Sequence, residues 1–131
     1  MKYTDNYINE LKPNEIFVFG SNLKGIHGAG AAKLAREKFG AEMGVGIGIT
    51  GQCYAIPTKD EMIWTLPLTR IEEHVMDFLD YVKDVPDKIF LVTQIGCGLA
   101  GYTPEDIAPM FKTHPSNVII PREFHEVISH M

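Results

Sequence analysis

Seven of the twelve glycines stand where a main chain could hold phosphate. Gly20, Gly25, Gly28 and Gly30 lie between the apolar run 15–19 and a helical stretch, and Gly96, Gly98 and Gly101 lie between a second such run and Thr103-Pro104. Glycine admits positive φ and close approach to a ligand, while the start of the next helix offers unpaired N–H groups and the positive end of its dipole. Two such loops on one small domain point to a ligand with a diphosphate, gripped from both sides. Better-known phosphate loops do not fit. Gly20 to Gly25 has P-loop spacing but continues with Ile26 where Lys-Ser/Thr is required. Gly46/Gly48/Gly51 satisfies Gly-x-Gly-x-x-Gly but leads into a strand. Gly96/Gly98/Gly101 satisfies it in the right context, yet only about 30 residues follow, too few for a dinucleotide-binding fold with its ribose-binding acid. Cys97, inside the second loop, has two readings: a nucleophile whose pKa a helix start would lower, or a small packing residue. His27, His74, His114, His125 and His130 show no paired metal-ligand spacing, and Cys53 and Cys97 form no zinc knuckle, so no metal and no cofactor are expected.

These loops need elements on both sides. Residues 15–19 (Glu-Ile-Phe-Val-Phe) read as a buried parallel-type strand. Ala31, Leu34, Ala35 and Phe39 recur at helical spacing, with Gly40 as a stop, and the helix is predicted to start between His27 and Gly30. Residues 44–51 and 53–57 read as two short strands joined by a tight turn, the second ended by Pro57. Thr69 with Glu72 predicts a capping box at the head of a helix whose apolar face is Ile71, Val75, Phe78, Leu79 and Val82. Residues 89–92 form a second buried strand, Thr103-Pro104-Glu105-Asp106 starts a helix running to about Lys112, and 117–120 is the last strand, closed by Pro121. Strands alternating with helices predict a single-domain three-layer α/β/α sandwich with a mixed, largely parallel sheet over residues 1–131.

Composition narrows the class. The chain has 131 residues, 45% of them apolar, enough for one domain with one core. No apolar stretch is long enough to span a bilayer, the first residues lead into no signal-peptide core, and two cysteines make no disulfide framework; a cytoplasmic protein with free thiols is expected. A net charge of -5 excludes an extended nucleic-acid surface but is compatible with one anionic nucleotide in a cleft.

Gly28-Ala29-Gly30-Ala31-Ala32-Lys33-Leu34 ending Lys38-Phe39-Gly40, then Ile56-Pro57-Thr58-Lys59, then Ile95-Gly96-Cys97-Gly98-Leu99, resembles the macro domain family. The likeness is closest to the branch that contains the terminal ADP-ribose glycohydrolase and the macro domain of DarG-type antitoxins, and runs collinearly from about Ile16 to Ile120. The resemblance implies a mixed sheet between helices, ADP-ribose lying across the two glycine loops, and a lysine that attacks the distal ribose. Carried onto this chain, that lysine is Lys59, whose amine would attack ribose C1″; the plain alternative is a solvated lysine beside Asp60 and Glu61. The loops 28–31 (Gly28, Ala29, Gly30, Ala31) and 96–102 (Gly96, Cys97, Gly98, Leu99, Ala100, Gly101, Tyr102) would orient the ligand. Two departures stand out. The glycohydrolase carries an aspartate where this chain has Ala100, as DarG-like domains also lack an acid there, so another acid (Asp60, Glu61) or a water would resolve the intermediate. Ser21-Asn22-Leu23 replaces paired asparagines; Asn22 would bond the distal ribose or cap the turn after the strand, and Ser21 is a second ribose candidate. Phe124 would stack on adenine or sit in the core, Tyr102 would cover the phosphates or pack on the helix, and His27 would touch the ligand or face solvent.

Two functions follow. One is an ADP-ribosylglycohydrolase removing ADP-ribose from a modified macromolecule, a modified nucleic-acid base included, with Lys59 as nucleophile. The other is a module that binds or sequesters ADP-ribose or a related nucleotide without cleaving it. A weaker third is a phosphatase acting on an ADP-ribose phosphate in the same pocket.

Overall fold

Glu15–Asn22 (β1) is the central strand because its side chains alternate between two buried faces: Ile16 and Val18 point into one core, Phe17 and Phe19 into the other. This computed structural model describes residues 2–131 and is an α/β protein with a mixed five-stranded sheet and four α-helices. Cys53–Lys59 (β3) pairs with β1 in parallel on one side, and Ile89–Val92 (β4) pairs with it in parallel on the other. Val118–Ile119 (β5) extends the sheet beyond β4 in parallel, and Gly48–Thr50 (β2) lies antiparallel on the outer edge of β3. The strand order is β2-β3-β1-β4-β5.

Helices cover both faces. Gly30–Lys38 (α1) returns the chain from β1 towards β3 and packs Ala35 against Phe17, Phe19, Cys53 and Ala55, with Phe39 and Ile8 completing that core. Leu68–Val82 (α2) presents Ile71, Val75, Phe78, Leu79 and Val82 to the opposite face, each large side chain contributing about 1.5–3 kcal/mol on leaving water. Pro104–Ile107 (α3), a 3-10 turn at Ala108–Phe111 and Arg122–Ser129 (α4) complete that face, where Phe78 meets Phe90 and Phe111 meets Phe124 edge to ring or tilted. Among the described residues no helix is long and apolar enough to cross a membrane.

Several local expectations are corrected. β1 runs three residues past Phe19, to Asn22, and β3 runs through Pro57 to Lys59; the pairing slips between Ser21 and Asn22, so this stretch is an irregular ladder that tolerates a residue with no N–H. Only Gly48–Thr50 of the segment 44–51 is strand. Thr69 caps nothing: α2 begins at Leu68 with Pro67 before it and no side-chain cap. The helix expected up to Lys112 is α for one turn only, because Pro109 has no N–H to continue it and the chain tightens into 3-10 geometry. The capping box there is real: the Asp106 carboxylate accepts from the Thr103 N–H and hydroxyl, both at 3.1 Å. The strand expected over 117–120 is limited to Val118–Ile119, and α4, which the sequence reading did not include, follows Pro121.

Candidate functional site

The connection after β1 leaves through α1 on one face, and the connection after β4 leaves through α3 on the other. Adjacent parallel strands whose crossovers diverge in this way open a crevice beyond their carboxyl ends, the usual ligand position in open α/β sheets. A cavity of about 320 Å³ lies there, within the size range of small-molecule sites. Its walls are the end of β1 (Gly20, Ser21, Asn22), the start of α1 (Gly28 to Ala32), the end of β3 (Thr58, Lys59) and the loop after β4 (Thr93 to Gly96, then Gly98 to Ala100), with Ile26 and Ile63 also on the lining.

The two loops bring free main-chain donors into this space. The first intrahelical bond of α1 runs from the Lys33 N–H to the Ala29 carbonyl at 3.2 Å, so the amides of Gly30, Ala31 and Ala32 have no helical partner. No acidic residue sits in the first turn of α1, which leaves the positive end of its dipole uncompensated. In the second loop the N–H groups of Cys97, Gly101 and Tyr102 donate to the Gln94, Gly98 and Gly96 carbonyls, whereas those of Gly96, Gly98, Leu99 and Ala100 donate to no such partner among the described residues. The expectation of a second helix tip is corrected. α3 is a single turn whose N-terminus is occupied by its own Asp106, so the free donors at the second loop are the loop's own amides.

Electrostatics agree with an anionic occupant. No aspartate or glutamate lines the cavity, and Lys59 supplies its one formal charge although the whole chain carries -5. Lys59, the last residue of β3, is half-buried, and its carbonyl accepts from Leu23 N–H at 2.9 Å. The lining side-chain hydroxyls and the Asn22 amide are committed to the frame. Ser21 donates to the Gly46 carbonyl, Thr58 to the Ser21 carbonyl at 3.3 Å and Thr93 to the Val18 carbonyl at 2.8 Å. Asn22 uses both ends of its amide on Ile26, donating to the carbonyl at 2.8 Å and accepting from the N–H at 3.0 Å. That is the turn-capping alternative. Lys59 and Gln94 are the lining side chains whose polar ends are left without a hydrogen bond or ion pair among the described residues.

The middle glycine cluster is the buttress of the first loop. A Cβ on Gly46 would stand 2.1 Å from the Asn22 carbonyl oxygen and one on Gly25 2.3 Å from the Gly44 carbonyl carbon, so backbone packs directly on backbone here. Gly44 N–H donates to the Gly25 carbonyl at 2.8 Å. His27 is fully buried beside this contact, which overturns both the ligand-touching and the solvent-facing readings of it. Its Nε2 lies 3.0 Å from the Glu42 carbonyl and 3.1 Å from that of Val45; both are acceptors, so Nε2 carries the proton and Nδ1 is left without a partner.

The remaining candidates lie off the cavity. Phe124 is fully buried against Phe111, with ring centroids 5.8 Å apart, so the adenine-stacking role is corrected to a core contact. The Tyr102 hydroxyl donates to the Leu66 carbonyl at 2.8 Å and its ring packs on the core, leaving the phosphate-covering role unsupported. Cys97 packs on the same core, and burial, with Asp106 and Glu105 adding to it, pushes its thiol up to about 11, the opposite of an activated nucleophile. Gly101 closes the second loop from outside the cavity. Of the two carboxylates proposed to resolve an intermediate, Asp60 accepts from the Met62 and Trp64 N–H groups at 2.8 and 3.0 Å and Glu61 is exposed; neither lines the cavity.

One wall residue had no signal in the sequence. Residues 60–64 form a tight hairpin: Ile63 N–H donates to the Asp60 carbonyl at 3.1 Å and Asp60 N–H to the Trp64 carbonyl at 2.8 Å. Ile63 there has φ 65°, the only left-handed non-glycine backbone among the described residues. For a β-branched side chain this costs on the order of 1–3 kcal/mol. Comparison with known proteins adds no relative to this geometry: no family model, no curated protein and no solved structure matches the chain.

Proposed function

We propose that the chain is a macro-domain-like α/β/α protein that binds ADP-ribose in the cavity and releases it from a modified macromolecule with Lys59 as nucleophile. The observation that carries this reading is the meeting, in one cavity free of carboxylates, of Lys59 with unpartnered amides from both glycine loops. Those amides suit the diphosphate, in the way helix starts and amide nests hold anions elsewhere. The Lys59 amine attacks C1″, the bond from C1″ to the acceptor breaks, and the acceptor leaves with the proton. The glycosylamine so formed opens its ring, the C1″–O4″ bond breaking as the proton on nitrogen passes to O4″, and water hydrolyses the resulting imine to the free amine and ADP-ribose.

The carboxylate-free lining also favours a second reading, a module that holds ADP-ribose without turning it over, since nothing on the wall would activate the water. One experiment separates the two. Incubation with ADP-ribose and borohydride reduces any imine to a stable amine, and peptide mass spectrometry is expected to place the adduct on Lys59. An unmodified wild type, or equal labelling of Lys59→Ala, removes Lys59 from the chemistry and leaves the binding module.

A further inference from the structure

Resting on the ADP-ribose reading above, we infer that Ile63 is the residue by which the site distinguishes a diphosphate carrying a terminal sugar from one that ends at its phosphate, ADP-ribose from ADP. The turn at 60–63 ends on the left-handed Ile63, the bulge position of a three-residue hairpin loop, where glycine is the ordinary occupant. The turn itself is fixed by Asp60, which accepts from Met62 and Trp64, and by the Thr65 hydroxyl donating to the Ala100 carbonyl at 3.0 Å. Glycine would close the same hairpin without strain, and the Ile63 side chain joins neither hydrophobic core. It lines the cavity instead, on the hairpin that begins with Lys59 and in the company of Leu99 and Ile26.

Ile63, Ile26 and Leu99 are 41%, 40% and 74% exposed and form an apolar lip, whereas Ile95, also on the wall, is buried. A phosphate has no surface that such a lip can cover. A pentose does: the C–H face of its ring is apolar while its edge carries hydroxyls. A ring carbon must also sit within reach of the Lys59 amine for the proposed attack, and Ile63 belongs to the same hairpin. The strained position is therefore accounted for by the ligand contact and not by the fold.

The test is calorimetric titration of wild type, Ile63→Gly and Ile63→Asn with ADP-ribose and with ADP, alongside thermal melts. Both substitutions tolerate the left-handed backbone and remove the apolar branch. Wild type is expected to bind ADP-ribose more tightly than ADP; both variants lose about tenfold for ADP-ribose, keep their affinity for ADP and melt no lower than wild type. Equal losses for the two ligands, no loss at all, or no preference in wild type would overturn the role of Ile63 while leaving the nucleotide site standing. A wild type that binds neither ligand would remove the ADP-ribose reading itself.

Discussion

Gly28 is a position at which a negative charge enters the cavity at little structural cost. A Cβ there meets only the Ile26 side chain, at 3.9 Å, and the backbone has no positive φ, so Gly28→Glu fits the fold and aims a carboxylate at the amides of α1. Calorimetry is expected to show ADP-ribose affinity reduced at least 100-fold, on the order of 3 kcal/mol, with an unchanged melting temperature. Unaltered affinity would detach the first loop from the ligand. Gly20, Gly28, Gly30, Gly96 and Gly98, singled out by their spacing, and Lys59, singled out by the resemblance, line one cavity. Side chains that the sequence left with two readings are decided by their contacts: Asn22 bonds Ile26, the turn-capping alternative, and Phe124 faces Phe111, the core alternative.

At the scale of elements, the loop after β1 holds its shape by resting on the segment before β2. Gly46→Ala places a methyl group against the Asn22 carbonyl and requires the two loops to part, whereas Gly44→Ala meets open space and suffers only from its positive φ. The first substitution is expected to lower Tm by about 5–10 °C and to weaken ADP-ribose binding with it. The second should cost only about 1 kcal/mol in melting experiments. Equal effects would mean that the contact between the glycine clusters does not shape the site. Periodicity revealed α2 and the central strands, whose apolar faces are long enough to repeat. It did not reveal α4, since its eight residues carry only Phe124, Val127 and Ile128 inward and no side chain caps them. The start of α2 was misplaced for a related reason: Thr69 and Glu72 match a capping pattern, but Pro67, already extended, takes the N-cap position two residues earlier.

For the whole molecule, alkaline pH is the condition that the interior resists least. Burial pushes Cys53 from 9.0 to about 12 and Tyr54 from 10.0 to about 12, the latter helped by Asp77 and Tyr81, and Cys97 is raised to about 11. The folded chain thus keeps protons that the unfolded chain gives up above pH 9, so unfolding releases protons and stability falls as pH rises from 9 towards 12. Cys53 alone accounts for about 2–3 kcal/mol by pH 11. Denaturant midpoints measured from pH 7 to 11 should hold steady up to 9 and then decline, with a shallower decline in Cys53→Ala; a flat profile would show that these groups are not buried as described. The α/β class and mixed sheet were legible from the alternation of strand and helix, but the neighbours of β1 were not, because β3 and β4 are equally apolar candidates. That neighbourhood has a temporal consequence. Glu15 pairs with Ile89, far along the chain, and such distant pairing sets a folding time of roughly milliseconds to seconds. A polypeptide emerging from the ribosome lacks one neighbour of its central strand until residues 89–92 are free, so the sheet can close only after most of the chain has been made.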